Sequence, residues 1–259
     1  MLTKTTNFKG FTIRATDGEL GTIDEFYFDD ETWAIRYLTI QTGGWLDQRR
    51  VLISSMSIIQ TDWQARRLDV NLTMEQVKHS PDIDTHKPVS RQHEAEYSGY
   101  YGYPYYWDGP NLWGAAFFPM GLTVPLSTPA EVATKRMPRE SDDSHLLSSE
   151  DVAGYAIEAV DGEIGHINSF IVDDEAWAIR YIEVATRNWW PGKKVLIAPS
   201  WVKGVSWEES KVSVALTRAA IESGPEYDES MPIDREYENR LYIHYRWTPY
   251  WVAPTEPNN

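Results

Sequence analysis

The chain contains the same nine-residue stretch twice, 144 positions apart, and this repeat constrains the fold more than any other feature. DDETWAIRY occupies residues 29–37 and DDEAWAIRY residues 173–181, with a single Thr→Ala difference. The match continues without a gap, so that Asp17-Gly18-Glu19 aligns with Asp161-Gly162-Glu163. A period of this length indicates duplicated domains, because the units of solenoid proteins are only about 20–50 residues long.

Each copy has the pattern of about six short strands followed by a short helix. Segments rich in β-branched and aromatic residues predict strands over 11–16, 22–28, 32–42, 49–54, 57–62 and 66–72. Thr73-Met-Glu-Gln76 has the form of a capping box and predicts a helix to about residue 79. The sequence therefore predicts a mainly β fold of two tandem small β-barrels related by internal duplication.

The repeat extends beyond these strands into an aromatic-rich tail. YGYPYYW at 101–107 aligns with YRWTPYW at 245–251, and Ser90 and Asp234 are placed to cap short helices. We expect each tail to cover a sheet edge, because edges and exposed aromatic residues otherwise associate. The predicted organisation is a first barrel over 1–80, its tail over 81–107, a linker over 108–148, a second barrel over 149–224 and its tail over 225–259.

The pattern G-x6-D-G-x2-G-x-I-x2-F-x2-D-D, followed by W-x-I-R-Y and V-L-I, resembles the PRC-barrel domain. The matching stretches are Gly10 to Leu72 and Gly154 to Leu216. The family is named for the cytoplasmic domain of the photosynthetic reaction centre H subunit and includes the C-terminal domain of RimM, which binds a ribosomal protein. The layout is similar to that of bacterial proteins with two PRC-barrels. The resemblance implies two PRC-type barrels, each with a short helix and a tail.

Charge and composition disfavour several functional classes. The chain has 24 Lys and Arg against 39 Asp and Glu, a net charge of −15, which repels nucleic acids and anionic lipids. It has no cysteine, which excludes disulfides and thiolate chemistry. No secretory signal and no apolar segment long enough to span a bilayer are seen in this sequence. We therefore expect a cytoplasmic protein that neither binds nucleic acid nor inserts directly into a membrane.

Four tryptophans are candidates for an interaction surface, although residues of this type are more often core or barrel–barrel interface. They are Trp33, Trp45, Trp177 and Trp189.

Glycines mark the predicted hairpins of both copies. Gly18 and Gly162 follow an aspartate in a turn and are expected at positive φ. Gly21 and Gly165 are expected at a bulge or at a close backbone contact.

Arg36 and Arg180 lie within the repeated stretch, where both faces of the strand are apolar, so its inner face is not assigned. A buried arginine requires a carboxylate, and we expect structural ion pairs of Arg36 with Asp30 and of Arg180 with Asp174, with Asp29 as the other candidate partner of Arg36. A ligand-binding arginine is the alternative.

Metal and catalytic sites are not predicted. The Asp29–Glu31 turn and its repeat supply fewer ligands than Ca²⁺ or Mg²⁺ requires. His79, His86 and His93 are evenly spaced, but their repeat partners do not ligate metals. Sequence motifs for nucleophiles, phosphate loops and dinucleotide sites are lacking. We therefore expect neither a cofactor nor an enzymatic activity.

The leading functional hypothesis is a non-enzymatic interaction or scaffold protein that binds an unidentified protein partner, in stress response or complex assembly. A soluble accessory of a membrane electron-transfer complex, as the H subunit resemblance implies, is the second hypothesis. A small-molecule or metal-binding protein is the third. Duplicated barrels also predict an internal pseudo-dimer and allow a homo-oligomer.

Overall fold

The sequence duplication corresponds to two sheets that have the same strand order. The computed structural model describes residues 1–81, 91–119, 146–186, 193–206 and 208–252. The chain divides into two units. The first comprises Met1, Thr3–Val152 and Val172–Arg180, and the second comprises Leu2, Ala153–Ile171 and Tyr181–Asn259. Most of the second repeated stretch therefore belongs to the first unit, which differs from the predicted domain ranges.

The sheet of the first unit has the order β5-β4-β3-β2-β7-β6, with β8 paired to β3 outside this path. Its strands are β2 (Thr12–Arg14), β3 (Glu19–Asp29), β4 (Ile35–Thr42), β5 (Arg50–Ser54), β6 (Ile58–Asp62), β7 (Arg67–Val70) and β8 (Leu146–Ser148). Neighbours along the chain form antiparallel hairpins, whereas β2 and β7 pair in parallel. β5 and β6 are consequently the two end strands of this path.

The second sheet repeats this order as β12-β11-β10-β9-β14-β13, with β1 (Leu2–Lys4) paired to β10. Its other strands are β9 (Ala156–Ala159), β10 (Gly162–Asp173), β11 (Ala178–Thr186), β12 (Lys194–Ile197), β13 (Val202–Ser206) and β14 (Lys211–Val214). β13 and β14 begin and end 144 positions after β6 and β7. The fold is therefore mainly β, with two tandem barrel-like sheets related by duplication.

The helices follow the same spacing. They are α1 (Met74–Lys78), α2 (Arg91–Tyr101), α3 (Ser149–Val152), α4 (Arg218–Glu222) and α5 (Arg235–Tyr245). The predicted capping box of α1 is formed by Thr73 and Gln76, and Asp234 caps α5. Ser90 lies outside the described residues. Within the described part of the chain, every helix falls short of the length and apolarity needed to cross a bilayer.

Equivalent apolar positions fill the cores of the two sheets. Ile13 and Ile157 are fully buried, as are Ile40 and Val184. Alternation along the strands directs these side chains to the inner face, and their burial supplies the main stabilising term. Along β4, residues 35–40 are all buried, because side chains on the second face are also covered.

Two segments differ from the sequence prediction. The strand expected from residue 32 begins at Ile35, because Trp33 adopts a left-handed φ of 60° and belongs to the preceding turn. The predicted linker, 108–148, is ordered at both ends. Trp113 is buried near its start, and β8 lies at its end. Residues 120–145 lie outside the described part of the chain.

Candidate interaction site

The candidate site lies along β6, an end strand of the first sheet. β6 pairs with β7 on one side. On its other side, the described residues contribute no strand. The pairing with β7 shifts register between Ile58 and Gln60, so Ile59 is the extra residue of a β-bulge. The Ile59 side chain is 50% exposed, whereas Ile58 is buried. The bulge thus presents an apolar side chain at an open strand edge.

The opposite end strand, β5, is covered instead. The hydroxyl of Tyr97 on α2 donates to the carbonyl of Leu52 and accepts from the amide of Ser54, both at 3.1 Å. Tyr97 is 1% exposed and packs edge-on against Tyr37 at 5.2 Å between ring centroids. Helix α2 therefore satisfies edge groups of β5 that would otherwise invite another strand. This agrees with the expected role of the tail in the first repeat.

Aromatic residues form the floor beside β6. Phe8 contacts Trp63 at 4.7 Å and Trp177 at 5.5 Å between ring centroids. Phe11 meets Trp63 edge-on at 5.3 Å. The indole nitrogen of Trp63 donates to Asp174 Oδ2 at 3.0 Å, which fixes the orientation of a half-buried ring. Packing and this hydrogen bond together make a rigid floor.

A cleft of about 700 Å³ opens above this floor. Its described lining includes Ile58, Ile59, Trp63, Phe118 and Trp177. Phe118 is 51% exposed, so two large apolar side chains face solvent across the cleft. Apolar surface concentrated in a concavity is a feature of binding sites rather than of ordinary protein surface.

The charged side chains among the described lining residues are both acidic. Glu175 is exposed, and Asp174 is 9% exposed at the same rim. Asp174 also accepts a hydrogen bond from the amino group of Met1. Asp174 is therefore paired with the positively charged amino group of Met1, and the exposed Glu175 is the lining side chain that favours a cationic group, in the same sense as the net charge of −15.

The four predicted interaction tryptophans are not gathered together. Trp177 is 2% exposed and lies in the floor of the cleft. Trp33 is buried and stacks on Phe28 at 5.4 Å. Trp45 is half-buried, and its indole nitrogen donates to the carbonyl of Leu20 at 2.8 Å. Trp189 lies outside the described residues.

Arg36 forms the predicted ion pair, but its partner is Asp29, so the prediction of Asp30 is wrong. Arg36 donates through Nη2 and Nε to Oδ2 of Asp29, at 3.0 and 3.4 Å. Successive side chains of a strand point to opposite faces, so Asp29, at the end of β3, faces Arg36 and Asp30 does not. Asp29 is also fixed by the amides of Glu31 and Thr32, both 3.0 Å from Oδ1.

Arg36 also contacts the tail of the first repeat, at Tyr106, and the start of the predicted linker, at Leu112 and Trp113. It is 1% exposed, and its Nη1 donates to the carbonyl of Leu112 at 2.6 Å. The guanidinium lies 3.6 Å from the ring centroid of Tyr106 and 4.8 Å from that of Trp113. Stacking and hydrogen bonds occupy the guanidinium, which favours the structural role over the ligand-binding alternative.

The second predicted pair is corrected in the same way. Arg180 donates through Nη2 to Asp173 Oδ2 at 3.1 Å and not to Asp174. Asp173 also accepts from the amides of Glu175 and Ala176, repeating the turn of the first copy. This pair is more open, with Arg180 21% exposed. Asp174 contributes to the candidate site instead.

The four glycines satisfy two different requirements. Gly162 has a φ of 132°, as expected, but Gly18 is not among the residues at positive φ. An added Cβ at Gly18 would lie 2.5 Å from Met74 Sδ, so the flexible Met74 side chain at the start of α1 packs against this glycine. At Gly21 and Gly165, an added Cβ would lie 2.0 and 2.1 Å from a carbonyl oxygen of the neighbouring strand. The expected close backbone contact is therefore present at both.

Burial is the main cause of the raised pKa values of Glu25 and of several tyrosines. Desolvation raises the pKa of Glu25, against the opposing effects of the Ser148 hydroxyl and Arg50. It raises the pKa of Tyr27 and Tyr101 to about 12 and shifts the pKa of Tyr181 upward more strongly, where Glu238 accepts the Tyr181 hydroxyl. The tyrosine shifts follow from close packing of these side chains.

Metal ligands are not clustered in the described part of the chain, where no group of three or more His, Asp or Glu side chains is brought together. His79 contacts Glu75 at 2.8 Å on the exposed face of α1. His86 lies outside the described residues.

Sequence reasoning did not identify Ile59 and Phe118 as site residues. An isoleucine in an alternating strand is typical of a core position, and a bulge leaves no local signal. The comparison of Ile59 with its repeat partner Lys203 was the one available clue, since lysine is a common edge residue.

Comparison with known proteins finds a family resemblance in the region that forms most of the candidate site. Residues 4–64 match the family model of the PRC-barrel domain. A search of curated proteins found no match. The matched region contains β2 to β6 and Trp63, and therefore most of the edge and floor described above. Over residues 4–64, this chain is similar to the PRC-barrel domain.

Proposed function

We propose that this protein is a non-enzymatic interaction or scaffold protein that binds a protein partner through the β6 face of its first unit. The supporting observation is the cleft beside β6, where Ile59 and Phe118 are about half exposed above an aromatic floor. Large apolar side chains at such a place lose contact with water when a partner binds, which favours association.

The rest of the described structure is consistent with a scaffold. The one buried arginine in the repeated stretch, Arg36, is committed to Asp29 and the tail, and the shifted tyrosines are packed. Rigid aromatic packing behind the cleft means that little side-chain freedom is lost on binding. A role in stress response or in assembly of a larger complex is part of this proposal.

Quantitative affinity capture tests the function. The full chain is immobilised and exposed to extract of the source organism, and captured proteins are identified by mass spectrometry. The partner is then purified, and its dissociation constant is measured by calorimetry. We expect a saturable complex of fixed stoichiometry.

The competing small-molecule function is tested on the same preparation. A thermal-shift screen against metals and metabolites reports ligands that stabilise the folded chain. A metabolite that raises the melting temperature at micromolar concentration, or turnover of any substrate, would overturn the proposed function. So would the absence of any saturable protein partner.

A further inference from the structure

We infer that the cleft binds an extended, basic peptide segment of a partner protein, which adds as a strand along the open edge of β6. The segment places an apolar side chain between Ile59 and Phe118 and a lysine or arginine near Glu175. This inference rests on the proposed function and specifies the chemistry of the partner. Strand addition of this kind takes its affinity from backbone hydrogen bonds and its specificity from side-chain pockets.

The difference between the two edges of the first sheet is the first argument. At β5, the Tyr97 hydroxyl forms hydrogen bonds with one carbonyl and one amide of the strand edge. At β6, the described residues occupy one side only, through the pairing with β7. Within the described part of the chain, no strand pairs with the other side of β6 along Gln60–Asp62, where an extended chain could add. The cleft runs along these residues.

The second sheet supplies the comparison that makes the first edge unusual. β13 has a bulge at the same position, between Val202 and Gly204, and the bulged residue there is the exposed Lys203. A bulge and a lysine are two common devices that prevent pairing at an edge. The first sheet keeps the bulge but replaces the lysine with the half-exposed Ile59. One of two equivalent edges has thus lost its protecting charge.

Charge complementarity selects the type of peptide. Glu175 is exposed, Asp174 beside it is paired with the amino group of Met1, and the described lining contains no lysine or arginine side chain to neutralise Glu175. The net charge of −15 extends this potential over the chain and speeds the approach of a cation. An acidic segment is repelled, and a neutral one lacks the contact with Glu175.

Selection from a random peptide library tests the inference before the natural partner is identified. A phage-displayed library of random segments of about eight residues, a typical strand length, is selected on the full chain. Ile59→Lys protein serves for counter-selection. This variant carries the residue that β13 tolerates, so it is expected to fold. Ile243→Lys is the matched control, because Ile243 is a 76% exposed isoleucine on α5 of the second unit.

We expect selected peptides to alternate apolar with basic residues. Their synthetic forms should lose at least about tenfold in affinity, about 1.4 kcal/mol, on Ile59→Lys and none on Ile243→Lys. Glu175→Gln should weaken basic peptides and reduce the salt dependence of binding. Hydrogen exchange should slow at the amides of β6 when peptide is bound.

Recovery of no peptide that discriminates Ile59→Lys, selection of acidic peptides, or unchanged exchange in β6 would overturn the inference. A wild-type dimer that Ile59→Lys converts to a monomer would also overturn it, because the occupant would be a second copy. If the captured partner binds Ile59→Lys as tightly as wild type, the docking inference and the assignment of the binding face to β6 both fail, while a non-enzymatic scaffold function that uses another surface stands.

Discussion

At the residue scale, the first aspartate of each repeated stretch pairs with the arginine of that stretch, and the second aspartate does not. Asp29 and Asp173 bind the arginine seven positions later and accept two backbone amides each. The sequence identifies the need for a carboxylate, because a buried arginine must be paired. It does not distinguish Asp29 from Asp30, because the choice depends on where β3 ends and which face each side chain takes.

Loss of Arg36 should destabilise the chain much more than loss of its repeat partner. Arg36→Ala leaves Asp29 buried without its cation, which costs about 3–5 kcal/mol in the free energy of unfolding. Arg180→Ala should cost about 1 kcal/mol or less, because that pair is partly exposed. Urea denaturation followed by tryptophan fluorescence measures both.

A double variant checks the corrected partner. Asp29→Asn combined with Arg36→Ala should cost less than the sum of the single changes, because the two side chains form one pair. Additive losses, or equal losses for the two arginine variants, would contradict the assignment.

The contribution of Glu25 to the free energy of unfolding should decrease as pH rises. Burial raises its pKa in the folded chain above the ordinary value of 4.5. The folded state therefore binds this proton more tightly than the unfolded state. Its contribution is full below pH 4.5 and is lost as pH rises through the folded-state pKa. Glu25→Gln removes this component, so the melting temperature of the variant relative to wild type should rise with pH.

Melting curves collected across the acidic to neutral range measure this effect. Glu158→Gln is the control, because Glu158 is 42% exposed. A relative melting temperature of Glu25→Gln that falls with pH would show that the Arg50 contact outweighs desolvation.

At the element scale, local signals predict well and long-range geometry does not. The Thr73–Gln76 capping box correctly predicts α1, because its hydrogen bonds lie within one turn. β4 begins three residues later than predicted, because Trp33 adopts a left-handed φ of 60° and belongs to the preceding turn. The bulge at Ile59, on which the candidate site depends, arises from the register with β7 and is invisible along the chain.

The tyrosine of α2 that covers β5 should contribute to stability through its hydroxyl. Tyr97→Phe leaves the carbonyl of Leu52 and the amide of Ser54 buried without this partner, at a cost of about 1–3 kcal/mol. Tyr100→Phe is the control, because Tyr100 is 42% exposed and bonds to Gln76 near water. Hydrogen exchange at Ser54 should accelerate only in Tyr97→Phe. Equal exchange in both variants would show that α2 covers the edge without this hydroxyl.

At the scale of the whole molecule, duplication supplies two equivalent edges that have diverged. The bounds of β6 and β7, the bounds of α1 and α2 and the bulge of β6 all recur at a spacing of 144. The surface residues do not, since Ile59 and Lys203 occupy the same place in β6 and β13. A common fold therefore carries unequal surfaces, as expected when function depends on sites rather than on folds.

This divergence predicts one peptide site for each chain in spite of two repeats. A peptide selected on the full chain should titrate with a stoichiometry of one by isothermal calorimetry, because only β6 combines an open edge with an apolar bulge residue among the described strands. Ile59→Lys should abolish the binding heat, since both edges then carry lysine. Lys203→Ala should leave the stoichiometry and the affinity unchanged, because β13 takes no part. Two equal sites in wild type, or loss of binding in Lys203→Ala, would show that the lysine does not distinguish the edges.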